Sequence, residues 1–282
     1  VYGRNAYGGS ALLRATAALP ALVPVFPDTA ELQLVHLDDV AETVAFFLKP
    51  NAPGQVVLEL AGPERLSFVD ILKSFRRWLG LGEALEVRIP RWLAAVAFRF
   101  GDTVSWLGWR PPVRSTAQKE LARGAIGDPS AWQRMTGIVP RSLEAALARE
   151  PASVQEKWFA RLYLLKPAMI GGLSLFWIVT GLISLFPARE KAIALATQSG
   201  LGRYAVATAI AGSFVDIALG LGIAFKKAAS KALMLSMLVS LGYLALGGVL
   251  LPELWSDPLG PLVKILPVLL ATLATLAILD DR

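Results

Sequence analysis

The stretch YAVATAIAGSFVDIALGLGIAF, Tyr204–Phe225, contains a single charged residue, Asp216. Pro167–Pro187 and Ala232–Leu251 contain none. Ile265–Leu279 also contains none, and it reaches about a full span if Lys264 snorkels. A helix needs ~20 apolar residues to cross ~30 Å of hydrocarbon. Only structures that satisfy every backbone N–H and C=O internally can do so, and runs of this length are read as helices. They predict an all-α four-helix transmembrane bundle, with spans at about 167–187, 204–225, 232–251 and 260–279. The alternative is a set of buried helices in a large soluble core. Four runs in succession, split by short charged loops, argue against it.

Outside these runs the chain changes character. Residues 1–162 carry 19 Lys/Arg and 16 Asp/Glu, the mix of a soluble domain, whereas residues 163–282 carry nine and six. The predicted organisation is therefore a soluble domain over 1–150, a connector over 151–162 and a membrane domain over 163–282. The net charge of +6 divides evenly between the halves and forms no single basic face. Nucleic acid is therefore not an expected partner. Positive charge near a bilayer instead suits anionic lipid. With no cysteine and one histidine, His36, the chain excludes disulfides, thiolate chemistry and Cys- or His-rich metal centres, so no metal is expected. The chain starts at Val1 and shows no charged n-region before an apolar stretch. We expect a piece of a longer protein, without a signal peptide.

The soluble half reads as alternating strands and helices, which argues for an α/β layer. Leu32–Leu37 is an apolar run that stops at Asp38-Asp39, either of which can cap a helix whose face is Val40, Val44, Phe47 and Leu48. Gln55–Leu60 reads as a buried strand. Ser67 caps a helix with Phe68, Ile71, Leu72, Phe75 and Leu79 on one face, and Gly80 and Gly82 end it. Pro140-Arg141-Ser142 opens a last amphipathic helix over Leu143–Ala148.

Three motifs within residues 1–150 carry a resemblance. Val1-Tyr2-Gly3, before a Gly-rich turn, is similar to the V-Y-G strand end of extended short-chain dehydrogenases, the NAD-dependent epimerase/dehydratase group. Val35-His36-Leu37-Asp38-Asp39-Val40-Ala41 resembles that group's V-H-V-D-D-V-A segment. Gly54-Gln55-Val56 through Ala61-Gly62-Pro63-Glu64, then Leu66-Ser67, resembles its G-x-x-x-x-x-x-G-x-E-x-L-T step. The resemblance implies a partial Rossmann-type domain, the substrate-side half, with Tyr2 and Gly3 at the cofactor and substrate edge. The family's Gly-rich cofactor loop and its Tyr/Lys pair have no counterpart in this sequence, which leaves no catalytic residue here and most of an NAD or NADP site outside it. The bland reading is that Tyr2 packs and Gly3 turns the chain. His36 reads as a structural residue at a strand end.

Pro90–Trp109 carries a separate signal. Trp92, Leu93, Val96, Ala97 and Phe100 make an apolar face, Arg88, Arg91, Arg99 and Arg110 surround it, and Trp106 and Trp109 follow. Arg and Trp on an amphipathic helix are the pattern of a segment lying at a membrane interface. It is expected to rest on the bilayer and admit an apolar substrate from lipid. The alternative is a helix packed on the soluble core.

In the membrane half, Gly212, Asp216 and Gly220 stand four apart and share a face where another helix can come close. Ser236, Ser240, Tyr243 and Gly247 form a stripe on the third span, Thr272 and Thr275 lie on the fourth, and Thr180 and Ser184 on the first. Asp216 is the intramembrane polar site. A carboxylate in hydrocarbon costs several kcal/mol unless paired or protonated, and no basic residue lies mid-span. It is read either as a proton-carrying or quinone-contacting group or as an acid hydrogen-bonded to a neighbouring Ser or Tyr that locks the bundle. With the N-terminal domain inside, seven Lys/Arg flank the spans on the inner side and four on the outer. That bias favours both termini in the cytoplasm of a multi-pass inner-membrane protein. The four short-looped spans with G-x-x-x-D-x-A-L-G at Gly212–Gly220 resemble the DoxX-like membrane family, which implies association with quinone or redox-linked assemblies.

Together the resemblances imply a membrane-anchored NAD(P)-dependent oxidoreductase of the extended short-chain dehydrogenase type, acting on an apolar or membrane-associated substrate and linked to quinone. The alternative they imply is a non-catalytic nucleotide-binding scaffold or assembly factor of a respiratory membrane complex.

Overall fold

Ser67 accepts a hydrogen bond from the Asp70 N–H and opens a helix over Phe68–Trp78. Phe68, Ile71, Leu72 and Phe75 all face inward, and Leu79 follows fully buried at the C-cap. Each such side chain contributes roughly 2 kcal/mol by leaving water. Gly80 takes a positive φ of 62° to end the helix, as the sequence predicts. The computed structural model describes residues 1–5 and 8–280. The elements run α1 (Gly8–Ala17), β1 (Leu22–Val25), α2 (Leu37–Phe47), α3 (Phe68–Trp78), β2 (Leu85–Arg88), α4 (Arg91–Trp106), α5 (Ser115–Arg123), α6 (Ser130–Thr136) and α7 (Leu143–Arg149). Then come α8 (Val154–Leu185), α9 (Arg189–Ala196), α10 (Ala205–Ala224), α11 (Lys226–Leu250) and α12 (Ile265–Ala277). They divide into two units, one of residues 1–105 and 110–164, the other of 106–109 and 165–282.

The first unit corrects the α/β expectation. The chain is 65% helical, and among the described residues its sheet is one parallel pair, β1 with β2, in the register Leu22↔Leu85 to Val25↔Arg88. No doubly wound, Rossmann-type sheet is present among them. Gln55–Leu60, expected as a buried strand, is a loop without a ladder partner, entered through Gln55 at φ 44°, and Val57 is 97% exposed. Leu32–Leu37 contributes isolated bridges, Leu32 with Leu66 and Ala125 and His36 in parallel with Tyr2, before α2 begins at Leu37. A short apolar run is a strand only where a neighbour takes its backbone groups along its length; Leu32–Leu37 is met at single residues and Gln55–Leu60 has no ladder partner. The core instead gathers Tyr2, Ala17, Val23, the inner face of α3, and Leu143, Ala146 and Leu147 of α7.

The face of α2 is also turned round. Val44 and Leu48, expected inside, are exposed, while Asp39 and Thr43 are buried. The cap is His36, whose ring accepts from the Asp38 N–H, rather than Asp38 or Asp39. The Trp132 indole donates to Thr43 Oγ1 at 2.8 Å, and Arg141 meets Asp38, Asp39 and Glu42 at 3.0, 3.2 and 2.8 Å. The polar side of α2 thus has partners more than eighty residues away in sequence.

Among the described residues three helical stretches are long and apolar enough to cross a membrane, Val154–Leu185, Arg189–Ala224, which takes in α9 and α10, and Lys226–Leu250. The first starts well before Pro167 and absorbs the expected connector. The fourth apolar run forms α12, thirteen residues or about 20 Å long, short of the hydrocarbon thickness and shorter than the predicted span. Trp109 donates its indole N–H to the Ala224 carbonyl at the end of α10, and the Lys226 N–H donates to Leu107.

Candidate functional site

The site with the clearest chemistry lies inside the apolar bundle. Asp216 sits midway along α10 and is 4% exposed. Tyr243, three turns after the start of the uncharged run of α11, donates its phenol O–H to Asp216 Oδ1 at 3.0 Å. No Lys or Arg lies between residues 204 and 225 or between 232 and 251 to neutralise the carboxyl. The neighbours of Asp216 on α8 are fixed by glycine. A Cβ at Gly181 would stand 2.5 Å from the Ser213 carbonyl oxygen and 3.1 Å from the Asp216 Cβ. One turn beyond Asp216 on α10, a Cβ at Gly220 would meet the Ser174 carbonyl oxygen and Ile178 Cγ1 at 2.6 Å. Ser174 Oγ donates to the Gly220 carbonyl at 2.8 Å. α8 and α10 therefore cross antiparallel with backbones in contact, as small residues permit.

Of the expected small-residue face, Gly220 takes a helix closely, whereas a Cβ at Gly212 would meet only the Tyr243 hydroxyl, at 3.7 Å. Ser236, Ser240, Thr272 and Thr275 are buried, with Ser236, Thr272 and Thr275 bonded to carbonyls of their own helices. Thr180 bonds to the Phe176 carbonyl of its own helix and adds nothing to the site. Its place on α8 is taken by Ser174, Trp177 and Gly181. The Trp177 indole N–H is buried and has no hydrogen-bond partner among the described residues. Trp177 and Gly181 are four apart and share a helix face. The spacing i, i+3, i+7 from Ser174 through Trp177 to Gly181 was the available signal for these residues.

The other predicted residues lie in the first unit or its margins. Tyr2 is buried in the core, donates its phenol to the Ser142 carbonyl at 3.4 Å and packs edge-on against His36. Burial, then Asp39 and Glu64, push its phenol above the ordinary range. A Cβ on Gly3 would reach within 2.9 Å of Leu37 Cβ, and the Gly3 carbonyl accepts from Arg14. His36, Asp38 and Glu150 bring ligand atoms within 4.8 Å of one another. Arg141 already binds the Asp38 carboxylate and stands 3.4 Å from His36 Nδ1, which makes this an ion-pair cluster rather than a metal cage. α4 buries Ala94, Phe98 and Gly101 and leaves Trp92 68% and Trp106 86% exposed, with Val96 and Phe100 exposed between them. Trp109 is half-buried against α10.

Comparison with known proteins gives no support to the dehydrogenase resemblance. No curated protein and no solved structure matches the chain. A family model does match, over a stretch that holds Ser174, Gly181, Asp216, Tyr243 and Thr272. Residues 174–273 of this membrane protein are similar to the DoxX-like family.

Proposed function

We propose that the membrane unit is the proton- and quinone-handling part of a membrane-anchored oxidoreductase, and that Asp216 and Tyr243 are its working pair. The observation that carries this reading is a buried carboxyl with a phenol as its hydrogen-bond partner, in apolar runs, 204–225 and 232–251, that hold no Lys or Arg and whose one charge-bearing residue is Asp216 itself. A group of this kind persists in hydrocarbon at a cost and is associated with proton relays. The unsatisfied Trp177 indole N–H, one turn from Gly181, is a second unspent donor. Trp177 and a protonated Asp216 would offer the donors that a quinone carbonyl accepts, with the Tyr243 hydroxyl already bonded to Asp216. A quinone accepts two electrons and two protons when it is reduced. Asp216 would hold the proton and Tyr243 would orient it.

The competing reading is structural: Tyr243–Asp216 and Ser174–Gly220 simply lock three helices together. Asp216→Asn separates the two, because it keeps a hydrogen bond to Tyr243 but carries no exchangeable acid proton. The measurement is binding of a short-chain benzoquinone to the full chain in nanodiscs, followed by tryptophan quenching. The expected outcome is binding weakened about tenfold in Asp216→Asn and Tyr243→Phe with the melting temperature nearly unchanged. Binding equal to wild type in both would leave the pair a structural lock. Among the described residues there is no Gly-rich strand–turn–helix, and the reading assigns no nicotinamide contact to them.

We also propose that α4 lies on the lipid surface through Trp92, Val96, Phe100 and Trp106. Its exposed apolar stripe, ringed by arginines, supports this. It provides the route by which an apolar substrate would reach the protein from the bilayer.

A further inference from the structure

A groove of about 420 Å³ opens in the first unit between the end of α1, the end of α3 and the first turns of α8. Its size is that of a ligand cleft. Seven of its nine lining residues are apolar, Leu19, Leu81 and Leu164 the largest among them; the other two are Arg76 and Arg161. Arg76 is buried, and its guanidinium bonds only to carbonyls, those of Gly82, Ala17 and Leu19. Those bonds hold its position but leave its charge uncancelled, which is costly in a buried place. Arg161 is exposed and has neither an ion pair nor a hydrogen bond among the described residues. One turn earlier on the same face of α8, the Lys157 ammonium lies 3.2 Å from where a Gly80 Cβ would stand. The one carboxylate on this turn of α8, Glu156, is taken by the backbone and hydroxyl of Ser153.

We propose that this groove binds an anionic phospholipid, with the phosphate on Arg161 and Arg76 and an acyl chain along Leu19, Leu81 and Leu164. The charge pattern demands an anion and the wall demands a hydrocarbon chain. The position along α8 selects lipid as the source. Leu164 is three residues before Pro167, where the uncharged run of this continuous helix begins. Trp158 and Phe159, both exposed on the same turns, are the aromatic residues expected at headgroup depth. Guanidinium groups also bind phosphate oxygens in a fixed fork, better than a point charge does.

The test is native mass spectrometry of the full chain in neutral detergent, titrated with phosphatidylglycerol, phosphatidylcholine and inorganic phosphate. The expected result is phosphatidylglycerol retained well above phosphatidylcholine, and inorganic phosphate unable to displace it. Arg161→Gln, a change at an exposed residue, should weaken phosphatidylglycerol about tenfold, and Leu19→Trp should weaken it by filling the groove. Lys119→Gln, an exposed cation away from the groove, should change nothing. Retention by Arg161→Gln equal to wild type would overturn the proposal. Displacement by inorganic phosphate would overturn the lipid and leave a simple anion site.

Discussion

Arg141 shows how much one side chain decides in the first unit. Its guanidinium spans Asp38, Asp39 and Glu42, and its own N–H donates to Asp39 Oδ2 at 3.1 Å. Asp39 is 1% exposed, whereas Asp38 and Glu42 are largely in water, so most of the energy resides in the Asp39 contact. Removing Arg141 would leave that carboxylate buried and unpaired. Arg141→Ala should therefore destabilise the full chain by about 3 kcal/mol, and Arg141→Lys by less, because an ammonium cannot reach three carboxylates at once. Chemical denaturation monitored by Trp132, buried beside the same helix, checks this. An Arg141→Ala chain as stable as wild type would mean that the cluster is held by Trp132 and Thr43 instead. From sequence alone Asp38 and Asp39 read as helix caps, a place the structure gives to His36. The sequence could not show Arg141, which lies 102 residues beyond Asp39 and acquires its role only through the fold.

At the scale of the element, hydrophobic periodicity predicted some helices well and misassigned the faces of others. α3 lies where its spacing places it, with its cap and its glycine stop, because its apolar side has a core to face. α2 has a weaker apolar stripe, and its Val44 and Leu48 point outward, because its other side is occupied by the Arg141 cluster and the Trp132 indole. α4 presents both situations on one helix. Gly101 lies so close to the backbone of Val113 that a Cβ would stand 1.7 Å from its carbonyl oxygen, which pins the buried side. The opposite side carries Trp92, Val96 and Phe100 into solvent or lipid. The absence of cysteine allows single labels to decide. Nitroxides on Trp92→Cys, Val96→Cys and Phe100→Cys in nanodiscs should be more accessible to oxygen than to a water-soluble nickel chelate, with Lys119→Cys, at an exposed position of α5, showing the reverse. Equal nickel access at all four positions would place α4 in water.

The whole molecule raises the question of sidedness. Among the described residues three helical stretches are long enough to cross, and α12, at thirteen residues, decides on which side residue 280 lies. The loop charges predict Lys226–Lys231 inside. If α12 completes a fourth crossing with the turn before it, residue 280 lies inside as well and Asp257 lies outside. Single-cysteine chains at Lys227, Asp257 and Asp280, treated in intact cells with an impermeant maleimide, should label at 257 alone. Labelling at 257 and 280 together would mean three crossings, with α12 lying outside the bilayer.

The sequence by itself determined the membrane class, the polar residue inside it and several helix boundaries. Charge-free runs and caps are local properties, and burying a charge in hydrocarbon is costly wherever it occurs. The local motifs at Tyr2 and His36 suggested a dinucleotide-type sheet; the two residues do meet in a single parallel bridge, but among the described residues the one sheet is the β1–β2 pair. Tertiary structure alone decided that Asp216 meets Tyr243 and Gly181, that Ser174 rather than Thr180 faces the bundle, and that the polar side of α2 is the buried one. Each of these depends on which distant backbone comes within hydrogen-bond reach, a quantity that no local pattern contains.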